Sequence, residues 1–387
     1  MDQNGLTLGR GTEKQVSYLE LIYDLIFVYL VGRNNSLLQV VENGFIRPAA
    51  FLTYVVSALV VLQIWYYSTL LSNRYGDGSR SEYLGMFINM YLLYHMADGI
   101  RADWGAYFAR YNLAWTLILI NLAVQYWIKL RKDGVTPHEK SHIRCHIRVL
   151  LVQAAAVLLT IPIYRITGAS LTFWALLIGI VSALLLRRMD EMLPVDFSHL
   201  TERVMLYVVF TFGEMIIGIA GYFSEGLDFT GIYFSVMAFA IVVGLFLSYG
   251  FLYENILDRE KRTAGTSYMM IHLFLLMALN LVTAAMEFMR EPEVDVIPKN
   301  IFLVAAFLIY YIFLFSTRSY AKLQFSAKSR FVYQILGLSA AFVLLTGLFY
   351  RNGWVSIAVS VLYVYGVYYT IVTQWRSAMK ERENGSE

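Results

Sequence analysis

Long apolar runs recur from one end of this sequence to the other. A helix needs about 20 mostly apolar residues to cross bilayer hydrocarbon. Such segments fall at about 17–39, 48–72, 82–100, 104–130, 146–164, 170–188, 199–222, 230–254, 264–288, 298–318, 329–350 and 354–375. In hydrocarbon each backbone polar group must be satisfied within its own segment, so these runs are helices. The ten-residue alternation of a membrane β-barrel is absent. With 58% of the 387 residues hydrophobic and 15% charged, a water-soluble surface cannot be assembled. The expected fold class is all-α and polytopic, with about 12 transmembrane helices. Trp104, Trp127, Trp174, Trp354 and Trp375 mark segment edges, as an interfacial aromatic belt does.

Charge placement sets the expected orientation. With the N-terminus in the cytoplasm, the outer ends and loops hold Arg33, Arg47, Arg101, Arg165, Arg290, Lys299 and Arg351, and the spans hold Arg110 and Arg203. The other 22 of the 31 Lys and Arg residues then fall inside. That asymmetry places both termini in the cytoplasm. No cleavable signal peptide is evident, since the polar first 16 residues lead into an apolar run without a small-residue cleavage site. The single cysteine, Cys145, excludes an internal disulfide.

The two halves overlay. A shift of about 182 residues carries the first six segments onto the last six. Glu20 lands on Glu202, Asp98 lands on Asn280, and "IYRITG" at 163–168 meets "FYRNG" at 349–353. The expected organisation is one membrane domain of two six-helix repeats, 1–190 and 191–387. An even number of spans in each gives parallel copies about an axis along the membrane normal.

Ionisable residues within the spans are the candidate site. A charge at mid-membrane costs about 2.5–3.5 kcal/mol even on lenient scales, so partners or water must lie inside. At about 1.5 Å per residue, two layers emerge. Glu20, Asp24, Glu202, Arg203 and His272 form an inner layer. Arg33, His95, Asp98, Arg110 and Glu214 form an outer one. On the seventh segment, Arg203, Tyr207, Glu214, Gly218 and Gly221 share a narrow sector at about 100° per residue. Glu214 has no partner at i±3 or i±4, and Arg33 or Arg110 lies at the right depth to be its countercharge. The inner cluster reads equally as a pathway gate or as packing ion pairs. His95 and Asp98, one turn apart, read as a proton relay or as a capped helix end.

Soluble chemistry is sparse. The inner segment "HEKSHIRCHIRV" places His138, His142 and His146 at i, i+4 and i+8 beside Cys145. On a helix the three histidines would drift over about 80° and could share a metal, but no nearby carboxylate pattern fixes such a site and the loop is basic, so the expectation is a solvated or headgroup-facing helix. No metal, cofactor or catalytic residue is assigned. G-x-S-x-G, H-E-x-x-H, C-x-x-C, a Walker loop and a C-terminal prenylation box are missing.

"YLELIYDLIFVYLVG" at 18–32 and "HLTERVMLYVVFTFGEMIIGI" at 199–219 resemble the two signature helices of the bacterial low-temperature-requirement protein A family, and "RYNLAW" at 110–115 strengthens the likeness. Ile22 and Tyr23 stand where family sequences usually have Phe. The resemblance spans the whole chain and implies a multi-pass protein of the bacterial inner membrane, linked by name to growth in the cold. It brings no established substrate. Its motif positions here are Glu20, Asp24, Phe27, Glu202, Arg203, Gly213 and Glu214.

The function expected is membrane transport of a small solute or ion, coupled to protons or a cation through carboxylates in the first and seventh helices. Alternatives are a proton or ion channel, a lipid-active intramembrane enzyme, and a non-transporting protein of cold adaptation. The expected partners are the lipid bilayer and a small ion or solute, not nucleic acid, with a homo-oligomer left open.

Overall fold

The structure, a computed structural model, describes residues 14–101, 103–220, 228–322 and 329–385, with backbone only at 187, 188 and 382–385. The described residues form twelve α-helices. They are α1 Tyr18–Asn35, α2 Pro48–Tyr75, α3 Arg80–Asp98, α4 Trp104–Leu130, α5 Pro137–Thr167, α6 Thr172–Met192, α7 Phe197–Ala220, α8 Phe229–Phe251, α9 Thr266–Phe288, α10 Val296–Ser316, α11 Ser329–Leu348 and α12 Gly353–Gly385. One π-helical turn, Leu252–Ile256, extends α8. Nine of the described helices are long and apolar enough to cross a membrane, so the chain is a polytopic membrane protein. The shortfall in α1 follows from three charges, Glu20, Asp24 and Arg33, within 18 residues. In α6 the apolar part, Thr172–Leu186, is short.

Local signals set several helix starts. Ser17 and Glu20 form a reciprocal capping box on α1, with Glu20 N–H donating to Ser17 Oγ at 3.2 Å and Ser17 N–H donating to Glu20 Oε2 at 3.0 Å. Thr136 and Glu139 do the same for α5. Pro48 and Pro137 occupy first-turn positions, where no N–H is needed. Between α1 and α2 the sequence Asn43-Gly44 turns a two-residue-per-strand hairpin, β1 Val41–Glu42 and β2 Phe45–Ile46, with both turn residues at positive φ. Gly44, at φ 79°, suits the turn as glycine, and a Cβ there would also meet the Asp295 carboxylate.

The burial pattern of α1 is inverted relative to a soluble helix. Tyr18, Ile22, Leu25 and Tyr29 are its exposed face, at 42–74% accessible, whereas Glu20 and Asp24 are 5% and 0%. Apolar side chains outward and charges inward is the arrangement lipid demands. Helix α1 packs on α2, α3, α7 and α9, and α7 packs on α1, α2, α8 and α9. The α1–α7 seam therefore lies at the heart of the bundle, beside buried Tyr23, Phe27, Trp65 and Tyr207.

One expectation is corrected here. The histidine-bearing stretch 138–146 is not a solvated helix apart from the bundle. It forms the opening turns of α5, and His142 and His146 are buried at 0% and 5%. No carboxylate pattern lies near them in sequence, but the end of α6 brings Asp190 to them.

Candidate functional site

Three residues foreseen in the inner layer, Glu20, Asp24 and Arg203, form one cluster at the start of the α1–α7 seam. The Arg203 guanidinium donates to both oxygens of Asp24, from Nε to Oδ2 at 2.9 Å and from Nη2 to Oδ1 at 2.8 Å. Its Nη1 donates to Glu20 Oε1 at 3.1 Å and to Ser72 Oγ at 2.5 Å, and Ser72 donates in turn to Glu20 Oε1 at 2.9 Å. Trp65 Nε1 adds a third donor to Asp24, at Oδ1, 2.9 Å away. Tyr207 is fully buried and its ring lies 4.9 Å from that of Trp65. The carboxylates are thus saturated with donors, as buried charges must be.

His199, four residues before Arg203 on the same face of α7, completes the cluster. Its ring approaches Glu20 Oε2 with Nε2 at 3.3 Å and Asn73 Nδ2 with Nδ1 at 2.9 Å. Asn73 has its amide fixed from both sides: Oδ1 accepts the Asp196 N–H at 3.0 Å, and Nδ2 donates to the Asp196 carbonyl at 2.9 Å. Nδ2 is therefore a donor toward His199, so Nδ1 accepts and Nε2 carries the hydrogen toward Glu20. The imidazole is neutral, which leaves two carboxylates against one guanidinium. Lys14, just before α1, brings the balancing charge: its Nζ donates to the Ser72 and Asn73 carbonyls at 2.6 and 3.2 Å and feels Glu20 electrostatically. Burial lowers the Lys14 pKa below the ordinary lysine value, and the Glu20 charge opposes that shift.

The end of α2, Ser72-Asn73-Arg74-Tyr75, is the hub. Ser72 and Asn73 serve the cluster, Arg74 binds Asp190 Oδ1 at 2.8 Å and the Leu193 carbonyl at 3.1 Å, and the Tyr75 hydroxyl meets His142 Nδ1 at 2.8 Å. Sequence reasoning missed Trp65, Ser72, Asn73 and His199. The signal for His199 was its i–4 spacing from Arg203. The signal for the hub was a polar tetrad closing a long apolar run.

Other foreseen residues lie elsewhere. Glu202, next to Arg203 but about 100° around the helix, accepts the Val16 N–H at 3.4 Å and does not join the cluster. His272 sits at a similar depth on α9 but turns away; its Nδ1 donates to the Tyr268 carbonyl at 2.9 Å. The ring borders a cavity of about 180 Å³ with Tyr249, Tyr253 and Arg318. Of the outer layer, His95, Asp98 and Arg110 come together, with Arg33 acting electrostatically on Asp98, and Glu214 stands apart. Arg110 pairs with Asp98 at 2.6 Å and donates to His95 Nδ1 at 3.0 Å, on an exposed edge. Among the described residues Glu214 makes no ion pair with Arg33 or Arg110, which corrects the expected countercharge. It is Gly32 that faces Glu214: a Cβ there would lie 3.0 Å from Glu214 Oε2. Gly218 faces Glu287 and Thr283 of α9, and Gly221 lies outside the described residues.

The seam thus carries a saturated ion-pair cluster at one end and a half-buried carboxylate at the other. A void of about 10 Å³, room for one water, adjoins the cluster, between Tyr23, Ser72, Glu82 and Lys129. The cluster is closed. Its carboxylate oxygens are taken up by guanidinium, hydroxyl, indole and imidazole donors. His142, His146 and Asp190 are a different matter, with candidate ligand atoms within 4.8 Å of one another.

Comparison with known proteins gives a single result. No curated protein and no solved structure matches the chain. The family model described as bacterial low temperature requirement A protein (LtrA) matches residues 15–367, a span that holds both the Glu20–Asp24 helix and the Arg203–Glu214 helix, and the chain belongs to that family.

Proposed function

We propose that this protein is a transporter of a small solute or ion in the bacterial cytoplasmic membrane, coupled to protons or a cation, in which α1 and α7 move against each other. The observation that carries this reading is the Glu20–Asp24–Arg203–His199 cluster at the α1–α7 seam. A buried ion-pair network is a poor device for stability alone, because apolar residues of similar volume usually do as well or better. It is a good latch, since protonating one carboxylate removes the reason for the others to stay together. Here the latch closes the end of the seam that charge asymmetry places in the cytoplasm.

Packing supports the duplication on which such a mechanism rests. The pairs α1–α2, α1–α3, α3–α4, α5–α6 and α2–α6 have counterparts in α7–α8, α7–α9, α9–α10, α11–α12 and α8–α12. The halves 1–190 and 191–387 would then rock about the α1–α7 contact, as parallel repeats do. Glu214, half-buried at the far end of that contact, is the proton or cation carrier. When the latch opens, Glu214 gains access to the other side.

The test is flux. Purified protein in proteoliposomes, with an internal pH dye and an imposed pH gradient, is offered a panel of ions and small solutes. Protein-dependent, solute-stimulated proton movement is expected, and Glu214→Gln removes it while elution volume and melting temperature stay unchanged. Wild-type flux that survives Glu214→Gln overturns the carrier assignment. No flux with any solute overturns transport.

A further inference from the structure

We propose that His142, His146 and Asp190 form a three-ligand site for a divalent transition-metal cation of the zinc class, at the junction of α2, α5 and α6. Two imidazoles at i and i+4 on one helix face, joined by a carboxylate from a neighbouring helix, is a chemically suitable donor set for such a cation. All three side chains are at least nine-tenths buried. His142 Nε2 lies 2.8 Å and His146 Nε2 3.8 Å from Asp190 Oδ1, and the two rings are 4.3 Å apart.

The second imidazole supplies an independent observation. His146 Nδ1 lies 3.1 Å from the His142 carbonyl, which can only accept, so Nδ1 carries the hydrogen. The Nε2 lone pair of neutral His146 then lies 3.8 Å from a carboxylate oxygen, acceptor beside acceptor, in a buried site. A cation between them resolves that conflict. His142 adjusts without a change of charge. Bound through Nε2, it loses the hydrogen there and takes one on Nδ1, which then donates to Tyr75 Oη, 2.8 Å away. Both ligand rings would thus be held through their second nitrogens, by a carbonyl and by a hydroxyl, the usual outer support of metal-bound histidine.

Arg74 opposes the cation. Its Nη1 lies 2.8 Å from Asp190 Oδ1, so it competes for the carboxylate and adds positive charge. That competition distinguishes the site from adventitious histidine binding. Arg74 is also contiguous with Ser72 and Asn73, so occupancy reaches the Glu20 cluster through three consecutive residues.

Untagged full-length protein in detergent, stripped with chelator, is titrated with Zn²⁺ against a chromophoric chelator and loaded with Co²⁺ for absorption spectroscopy. One Zn²⁺ per chain and the visible bands of low-coordinate Co²⁺ are expected. His146→Gln weakens binding by tenfold or more, Tyr75→Phe weakens it about tenfold, and Arg74→Gln tightens it. His138→Gln, an exposed histidine of the same helix, leaves it unchanged. No Zn²⁺ above the stripped baseline overturns the site, as does binding lost equally in His138→Gln. Should His146→Gln fail to fold, the opposite shifts of Tyr75→Phe and Arg74→Gln decide the matter, and no shift in either overturns it.

Discussion

Arg203 meets Asp24 side-on, guanidinium edge to carboxylate edge, at 2.8 and 2.9 Å with neither side chain exposed. Removing the cation strands Asp24 and part of the Glu20 charge in a dry interior. Arg203→Ala is therefore expected to cost about 3–5 kcal/mol, read as loss of thermal stability in detergent. Arg203→Lys keeps the charge but not the two-pronged fork, so it recovers only part. Replacing both Arg203 and Asp24 by leucine removes the Asp24 charge and leaves Glu20 with its Ser72 and His199 contacts, so it is more stable than Arg203→Ala alone. If the single and double variants melt alike, the pair is not what holds the seam.

Gly32 and Glu214 form the other end of that seam. An added methyl at Gly32 would sit 3.0 Å from Glu214 Oε2, the far end of a flexible side chain. Alanine gains about 0.5–1 kcal/mol over glycine within a helix, and displacement of the carboxylate offsets this. Gly32→Ala should leave the melting temperature nearly unchanged while lowering proton-coupled flux, because Glu214 is pushed out of place. Gly32→Leu has no such escape and should cost about 1–3 kcal/mol as overpacking. Normal flux in Gly32→Ala would show that the position of Glu214 does not matter.

These two contacts also show how far sequence carries. Depth along a helix is fixed by residue number, so Asp24 and Arg203 could be brought to one level without coordinates. Azimuth is not fixed until neighbours are known. Gly32 faces Glu214, and Arg33 is rotated about 100° from it, so the expected Arg33–Glu214 pair does not form. His272 fails for the same reason, at the right height but on another face. Ser72 and Asn73 are legible in sequence only as part of a polar tetrad closing an apolar run, and their role exists only where α2 ends beside α7. His142 and His146 looked solvated because Asp190, their partner, lies 48 and 44 residues away in sequence.

Asn73 locks His199 by using both halves of its amide on Asp196. Asn73→Ala removes the donor to His199 Nδ1 and leaves the Asp196 N–H without its acceptor. Each buried polar group left unmade costs about 1–3 kcal/mol, so the variant should melt measurably lower than wild type. His199 is also freed to turn its other nitrogen to Glu20, so the latch should loosen and basal proton leak should rise. An unchanged leak alongside a lowered melting temperature would confine Asn73 to a packing role.

His95, Asp98 and Arg110 look like a relay in sequence and not in space. Asp98 Oδ2 binds Arg110 at 2.6 Å and Oδ1 binds Arg101 at 3.0 Å, while His95 accepts a hydrogen from Arg110. The group between imidazole and carboxylate is thus a guanidinium, which does not give up its proton. The ion pairs are also exposed, 35% for Asp98 and 45% for Arg110, where solvent and salt screen them. His95→Gln and Asp98→Asn should therefore keep wild-type proton-coupled flux, with no resolvable shift in melting temperature. Flux lost in His95→Gln at unchanged stability would return the outer end of α3 to the pathway and demand a second proton route beside Glu214.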